Sequence, residues 1–174
     1  VEVGVGLVPA GGGVKELMVR CTEGIPDGCV DDGMNLQHIY AKVFQNIAMA
    51  KVSTSAAEAM ELGYIRKHEP ISLSRDQHIW EAKQTLLGLA KYYRKPKPAM
   101  IPVMGENFRG MIDAALYGMK HGNYISDYDV HVSRKVAYII SGGDCPEGTW
   151  VTEQEILDLE KEAFVSLLGE AKTL

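Results

Sequence analysis

Apolar residues recur through most of the chain at the three- and four-residue spacing of amphipathic helices. Three of these apolar stripes comprise Leu36, Ile39, Tyr40, Val43 and Ile47, then Ile79, Ala82, Leu86, Leu89 and Ala90, then Ile156, Leu159, Ala163 and Leu167. Another helix is predicted from Glu106 to His121, because Gly122 and Asn123 follow it as a stop signal. The pattern predicts a mainly α fold of about seven helices with one or two short strands.

Polar residues mark the predicted starts of several helices. Three pairs have the capping-box spacing, in which a side chain accepts a bond from the backbone three residues on, namely Ser55–Glu58, Ser74–Gln77 and Thr152–Glu155. Ser126 is a suitable N-cap for a helix that ends near Ile140. These signals place helix starts at residues 55, 74, 126 and 152.

The first eight residues have a different period. They read VEVGVGLV, with an apolar residue at every second position, which predicts a β-strand. Gly4 and Gly6 weaken that prediction and indicate a close backbone approach. Residues 9–13, PAGGG, end the strand, and a helix is predicted from Val14 to Cys21. The glycine- and aspartate-rich stretch from Cys21 to Gly33 is predicted to be a surface loop.

Composition narrows the class of protein. The chain has 174 residues, with 18 Lys and Arg against 23 Asp and Glu, and the net charge of −5 argues against binding to duplex nucleic acid. No apolar run is long enough for a membrane span. Three cysteines without a CxxC pair argue against a disulfide framework and favour a reducing cytoplasm. The five histidines lack ligand spacing, so no metal site is predicted.

The glycine turn at residues 9–13 is the first candidate for chemistry. It precedes a helix whose first N–H groups lack intrahelical partners, so it is suited to hold an anion or a polarised oxygen. The alternative is that the glycines only allow strand and helix to pack closely. Pro9 stands where a GxGxxG motif needs its third glycine, and Val14-Lys15 replaces the Lys-Ser/Thr of a P-loop, so neither nucleotide motif is present.

Two further groups are candidates. Glu2 lies among apolar and glycine neighbours, where a poorly solvated carboxylate suits general acid–base chemistry, although an exposed residue at a frayed terminus is the alternative. A basic segment comprises Lys91, Arg94, Lys95 and Lys97. It is able to meet a phosphate, or it is a solvated linker after a helix C-terminus, where cations are favourable.

Two blocks together resemble the crotonase (enoyl-CoA hydratase/isomerase) family. Residues 1–13, VEVGVGLVPAGGG, resemble the family segment P-E-x-x-x-G-x-x-P-G-x-G-G, departing from it at Val1 and Ala10. Residues 55–65, SAAEAMELGYI, resemble its S-A-x-E-A-x-x-x-G-L-V helix. The long stretch between the blocks, and the end of the chain from Ser141 on, resemble bacterial multifunctional 3-hydroxyacyl-CoA dehydrogenases, in which an NAD-binding part precedes a crotonase-like part.

The resemblance implies a fold, a substrate class and a site. The fold would be the C-terminal helical half of a crotonase-like (ClpP/crotonase) α/β fold, with residues 1–65 ending the crotonase-like core, residues 66–174 forming a C-terminal helical region, and the chain belonging to a longer protein. Glu2 would be catalytic, protonating the α-carbon or sharing the water that adds to an enoyl-CoA. Pro9, Ala10, Gly12 and Gly13 would bind substrate, with the Ala10 N–H near that water.

The same resemblance implies cofactor and partners. The first glutamate and the oxyanion-hole donors of the family lie upstream of the matched segment, so the isolated chain is expected to be inactive. NAD would belong to the upstream dehydrogenase part, and this segment would hold no cofactor of its own. The substrate would be an acyl-CoA thioester of fatty-acid β-oxidation, and the protein would form homo-oligomers. The alternative is a helical oligomerisation or subunit-docking module without a catalytic role.

Overall fold

A computed structural model describes residues 2–173. Within them a 3-10 helix, Glu2–Val5, is followed by eight α-helices, which are α1 Gly13–Thr22, α2 Asp27–Asp31, α3 Gln37–Ala48, α4 Ala56–Glu61, α5 His78–Ala90, α6 Gly105–His121, α7 Asp127–Ile140 and α8 Glu153–Leu168. Strands β1, Met100–Pro102, and β2, Trp150–Thr152, pair antiparallel, with Ile101 opposite Val151. The mainly helical class is therefore confirmed, and the helix beyond the seven predicted is α2, which lies in the predicted loop.

The core forms around α7, which packs against α1, α3, α6 and α8. Its fully buried side chains include Val14, Met18, Tyr40, Val43, Phe108, Ile139, Ile140, Ile156 and Leu167. Tyr40 and Phe108 meet edge to face with their ring centroids 6.3 Å apart. Each such apolar side chain contributes about 1.5–3 kcal/mol by leaving water, so this packing is the main support of the fold.

At two of the four predicted helix starts, both hydrogen bonds of a capping box are present. Ser126 and Thr152 each accept a bond from the backbone three residues on, and Asp129 and Glu155 return the bond, which completes both capping boxes. Ser55 also caps its helix, but the Glu58 carboxylate accepts from the Thr54 N–H instead. The predicted start at Ser74 is wrong. α5 begins at His78 without a side-chain cap, because residues 75–77 form a turn before it.

The predicted strand at residues 1–8 is also wrong, and Val1 lies outside the described residues. Residues Glu2–Val5 form a 3-10 helix with local bonds, in which the Gly6 N–H donates to the Val3 carbonyl and the Leu7 N–H to the Glu2 carbonyl, both at 3.0 Å. An alternating pattern needs a neighbouring strand to pair its backbone. Within residues 2–173 no strand pairs with this segment, so its backbone bonds close locally.

Two of the predicted apolar stripes differ in burial. On α8, Ile156 and Leu167 are fully buried against α7 and α1. On α5, Ile79, Leu86 and Leu89 are 71%, 66% and 65% exposed, and no residue of this helix is buried. The division of the chain at residue 65 stays a prediction, while α1 and α3, which precede it, share one core with α7 and α8, which follow it.

Three findings concern the disulfide, membrane-span and metal-site predictions made from the sequence. Cys21, Cys29 and Cys145 are free thiols. No helix within residues 2–173 is both long enough and apolar enough to cross a membrane. The same residues contain no group of three or more His, Cys, Asp or Glu side chains arranged to hold a metal ion.

Candidate functional site

A cleft of about 500 Å³ opens beside the N-terminus of α1. All five residues predicted to be catalytic or substrate-binding line it, namely Glu2, Pro9, Ala10, Gly12 and Gly13. The remaining wall comes from α1, α3 and the segments that follow α3 and α4, and includes Glu16, Leu17, Arg20, Asn46, Ile47, Lys51 and Tyr64. The fold thus brings the candidate residues together on one concave surface, which we call the Glu2 cleft.

The glycine turn is closely packed at two positions. Gly12 has φ 91°, in the left-handed region that favours glycine, and a Cβ there would lie 3.4 Å from the Leu157 side chain. A Cβ on Gly13 would lie 2.9 Å from Cβ of Pro9, closer than real side chains approach. Of the two roles weighed for the glycines, close packing is therefore present at Gly12 and Gly13.

The N-terminus of α1 holds an anion, and that anion is a side chain of the chain itself. Glu160 of α8 is fully buried and accepts the Gly12 N–H through Oε2 and the Lys15 N–H through Oε1, both at 2.7 Å. Burial raises the pKa of Glu160, and the N–H donors of Lys15 and Gly12 oppose that shift. The turn that was expected to offer these N–H groups to a ligand therefore presents them to α8.

Lys15 completes the same junction. Its side chain is buried, and its ammonium donates to Glu16 and, at 2.9 Å, to Glu153 at the start of α8. Burial lowers the pKa of Lys15, but the bonds to Glu16 and Glu153 outweigh burial and leave it raised. Glu153 also accepts the Ala99 N–H at 2.7 Å, just before β1. We call Lys15, Glu153 and Glu160 the α1–α8 junction, since they fix the turn against α8.

Sequence reasoning missed both Glu160 and Lys15. The signal for Glu160 is its spacing, because it lies four residues after Ile156 on the apolar stripe of α8. A charged residue on a stripe that is otherwise buried needs a partner to be tolerated there. No comparable signal identifies Lys15, whose burial depends on the distant residue Glu153.

Glu2 occupies the rim of the cleft. It begins the 3-10 helix and is exposed, so the expectation of a poorly solvated carboxylate is wrong for the described residues. The reason is the missed secondary structure, since a 3-10 helix at the surface does not enclose Glu2 as a central strand would. Ala10 lies half-buried along the same wall.

Two polar side chains that line the cleft, Asn46 and Arg20, are held by hydrogen bonds. Asn46 is 2% exposed, and its Nδ2 donates to the Leu62 carbonyl at 2.9 Å. Arg20 donates through Nη1 to the Tyr64 carbonyl. The Asn46 Oδ1 and the Arg20 Nε are buried and have no hydrogen-bond partner among residues 2–173. Both residues line the Glu2 cleft.

The basic segment after α5 lies apart from the Glu2 cleft. Lys91, Arg94, Lys95 and Lys97 are exposed, and none of them lines that cleft. Lys97 instead borders a second cleft of about 480 Å³, between α1 and the start of α8. Binding of a phosphate by this segment stays a prediction.

Comparison with known proteins gives one informative relative. The chain is 39% identical to a probable 3-hydroxyacyl-CoA dehydrogenase of Bacillus subtilis (strain 168), over 174 residues that make up 99% of this chain. The aligned region is 21% of that relative's length, so the chain spans about a fifth of the protein it matches. No known family profile matches the chain. No solved structure matches it either.

The alignment covers 99% of this chain, so it includes the α1–α8 junction and α5. The similarity is therefore to one part of a probable 3-hydroxyacyl-CoA dehydrogenase.

Proposed function

We propose that this chain is the C-terminal portion of a fatty-acid β-oxidation enzyme that acts on acyl-CoA thioesters, and that the Glu2 cleft belongs to a hydratase-like site. The single observation that carries the proposal is the cleft itself. It brings together Glu2, Pro9, Gly12 and Gly13, which match the crotonase segment, and Ala10, which stands where that segment has glycine. The name of the Bacillus relative, a probable 3-hydroxyacyl-CoA dehydrogenase, supports the acyl-CoA substrate class.

The residues of this chain supply part of the chemistry. Glu2 at the rim is the proton-transferring carboxylate, in reach of solvent and of a ligand in the cleft. The turn at Pro9–Gly13 forms the wall against which the thioester lies, and Glu160 holds that wall rigid through its bonds to Gly12 and Lys15. By the resemblance, a second glutamate and the oxyanion donors come from outside this chain.

NAD does not fit the glycine turn at residues 9–13. The helix N-terminus that would receive its pyrophosphate, that of α1, already binds the Glu160 carboxylate, whose negative charge would repel a phosphate. The turn also lacks the third glycine of the dinucleotide motif. As the resemblance implies, we place the nicotinamide cofactor of the dehydrogenase reaction outside this chain.

Kinetics of the full-length natural protein test the proposal. Glu2→Gln should lower the rate of 2-enoyl-CoA hydration by about 10²–10⁴-fold, the usual contribution of a general acid–base, because the amide cannot transfer the proton. NAD-linked oxidation of 3-hydroxyacyl-CoA should stay within about twofold, because that site lies elsewhere. Glu162→Gln, which changes an exposed carboxylate on α8 outside the cleft, is the matched control and should leave hydration unchanged. Unchanged hydration in Glu2→Gln would contradict the assignment.

The isolated chain should catalyse neither reaction. Losing one oxyanion-hole donor costs about 10²–10³ in rate, and by the resemblance both donors lie outside this chain. Spectrophotometric assays of hydration and of NAD reduction on the purified 174-residue chain check this expectation. Saturable turnover that disappears in Glu2→Gln would show that the site is complete within this chain.

A second candidate function is self-association through α5, and the uncovered apolar stripe of that helix favours it. The occupant we propose is a second copy of the chain, packed antiparallel about a twofold axis. α5 carries Glu81 in its first turn and Lys91 at its C-cap. A twofold-related copy brings the acidic end of one helix level with the basic end of the other, while Ile79, Leu86 and Leu89 cover each other.

Sedimentation of the chain at micromolar concentration tests this candidate. The wild type should sediment as a dimer, and Leu86→Glu as a monomer, because the added charge would be buried in the interface. Leu168→Glu is the matched control, since Leu168 is 56% exposed on α8 and outside the stripe. A monomeric wild type, or equal dissociation in both variants, would contradict the role of α5.

A further inference from the structure

The segment that carries Glu2 and the glycine turn is held at both ends by α8 and by the turn that follows α8. At the far end, the buried Glu160 accepts the Gly12 N–H at 2.7 Å. At the near end, residues 170–173 form a turn, closed by a bond from the Thr173 N–H to the Glu170 carbonyl, that reaches Gly6. The second of these contacts is the one closer to Glu2.

Gly6 is enclosed by two distant parts of the chain. It is buried and has φ 81°, in the left-handed region that favours glycine. A Cβ there would lie 2.8 Å from Cε1 of Tyr128 on α7, and 3.4 Å from the Lys172 carbonyl oxygen and from Cα of Thr173. Residues of α7 and of the turn after α8 therefore close over this glycine.

Two hydroxyl groups fix this contact. The Thr173 hydroxyl donates to the Leu167 carbonyl at 2.6 Å, so it accepts from the Tyr128 hydroxyl, which is also 2.6 Å away. The Gly6 carbonyl oxygen lies 3.4 Å from the same Tyr128 hydroxyl and is a second, weaker acceptor. The Tyr128 ring also stacks on His131, with the ring centroids 5.9 Å apart. Tyr128 is therefore held between Gly6 and the turn after α8.

Backbone hydrogen bonds connect this contact to Glu2. The Gly6 N–H donates to the Val3 carbonyl and the Leu7 N–H to the Glu2 carbonyl, both at 3.0 Å. The 3-10 helix Glu2–Val5 has only four residues, of which Val3 is the buried one. Hydrogen bonds in a 3-10 turn have poorer geometry than those of an α-helix, so so short a turn depends on its surroundings to keep one position. A shift of Gly6 would therefore move Glu2.

We propose that Tyr128 and Thr173 are positioning residues for Glu2, which hold the 3-10 helix through Gly6 so that the Glu2 carboxylate keeps its place at the rim of the cleft. This inference rests on the proposed function, in which Glu2 transfers the proton. It assigns a role to α7 and to the turn after α8, whose described residues lie outside the lining of the Glu2 cleft. Such a hold matters because a displacement of about 1 Å can cost about 10²-fold in rate.

Hydration of 2-enoyl-CoA by the full-length natural protein tests the positioning role. Tyr128→Phe keeps the ring over Gly6 but removes the hydroxyl. It should lower kcat about fivefold and leave KM within about twofold, because one neutral hydrogen bond is lost and the wall of the cleft is unchanged. Thr173→Val should act in the same way, whereas Thr173→Ser, which keeps the hydroxyl, should retain kcat within about twofold. Tyr124→Phe, at an exposed tyrosine before α7, is the matched control and should change neither constant.

Combination with Glu2→Gln separates positioning from a purely structural role. Because Tyr128 acts through Glu2, Tyr128→Phe should lower the remaining hydration by less than about twofold in the Glu2→Gln background. Hydrogen exchange gives a second readout that does not depend on activity. The amides of Gly6 and Leu7 should exchange about fivefold faster in Tyr128→Phe than in the wild type, and at the wild-type rate in Tyr124→Phe.

The outcomes distinguish this inference from the proposed function. A loss of kcat in Tyr128→Phe that disappears in the Glu2→Gln background supports the inference. Unchanged kcat in Tyr128→Phe and Thr173→Val, or an equal loss in both backgrounds, overturns it and leaves the proposed function standing, since the contact would then serve only the stability of the fold. Wild-type hydration in Glu2→Gln, or no hydration in the wild type, overturns the proposed function and this inference with it.

Discussion

The α1–α8 junction buries polar side chains, whereas helix α5 exposes apolar ones. At the junction, polar side chains that would be costly to bury are fully paired, since Glu160 accepts two backbone N–H groups and Lys15 bonds to Glu153. On α5, apolar side chains that favour burial stay exposed, and no residue of the helix is buried. The junction is complete within the described chain, whereas α5 has its apolar stripe uncovered.

The difference shows which part of the molecule sets the geometry of the candidate site. A helix as short as α5, with 13 residues, is marginal by itself and depends on packing for its stability. α1 is shorter, with 10 residues, but its turn is bonded to a buried carboxylate and its apolar face enters the core. The Glu2 cleft therefore lies beside the packed α1–α8 junction, and α5 is the helix whose apolar stripe is uncovered.

The largest effect should come from a matched pair of leucines in the purified chain. Leu167→Ala should lower the free energy of unfolding by about 3 kcal/mol, because Leu167 is fully buried and its truncation leaves a cavity. Leu86→Ala should change it by less than about 0.5 kcal/mol, because Leu86 is 66% exposed. Urea unfolding at a concentration below association measures both. Equal costs would show that α5 is packed within the chain.

A somewhat smaller effect is expected at the buried carboxylate. Glu160→Gln should cost about 2 kcal/mol of unfolding free energy, because the amide group turns its own N–H donors toward the N–H of Gly12 or Lys15. Glu162→Gln, at an exposed position on the same helix, is the control and should be neutral. A neutral Glu160→Gln would mean that the turn is not held by α8.

The smallest expected effect is the pH dependence of the stability that Glu153 contributes at the α1–α8 junction. The Ala99 N–H and Lys15 lower the pKa of Glu153 below its ordinary value of 4.5. The stability it contributes is therefore full above pH 4.5 and lost as the pH falls through the lower folded-state value. Glu153→Gln should cost about 1 kcal/mol at pH 7, and that cost should shrink in acid. Unfolding curves of both proteins across this pH range check it, and a cost that grows in acid would contradict the pairing.

Features that depend on residues close together in the sequence, such as helix caps and apolar stripes, could be predicted. The N-cap at Ser126 and the capping box at Thr152 were predictable because each involves residues three apart. The stripe of α3 identified Tyr40 and Val43 as core. The strand at residues 1–8 was wrong because pairing between strands is non-local. The five candidate site residues were predicted from the resemblance, and all five line one cleft.

The unpredicted part of the site depends on contacts far apart along the chain. Glu160 reaches Gly12 across 148 positions, and the spacing of α8 indicates only that a partner exists. Arg20 and Asn46 carry no motif, and their unpaired atoms are visible only once α1, α3 and the segment at Tyr64 are assembled.

Hydrogen exchange of the full-length natural protein on adding butyryl-CoA tests most directly whether the Glu2 cleft binds the thioester. Butyryl-CoA lacks the double bond and the hydroxyl, so it binds without reacting. Exchange should slow at residues 2–20 and 46–64, which form the wall and floor of the cleft, and stay unchanged at residues 78–90 of α5. Protection confined to residues 78–90, or saturating binding without protection at residues 2–20, would contradict this account.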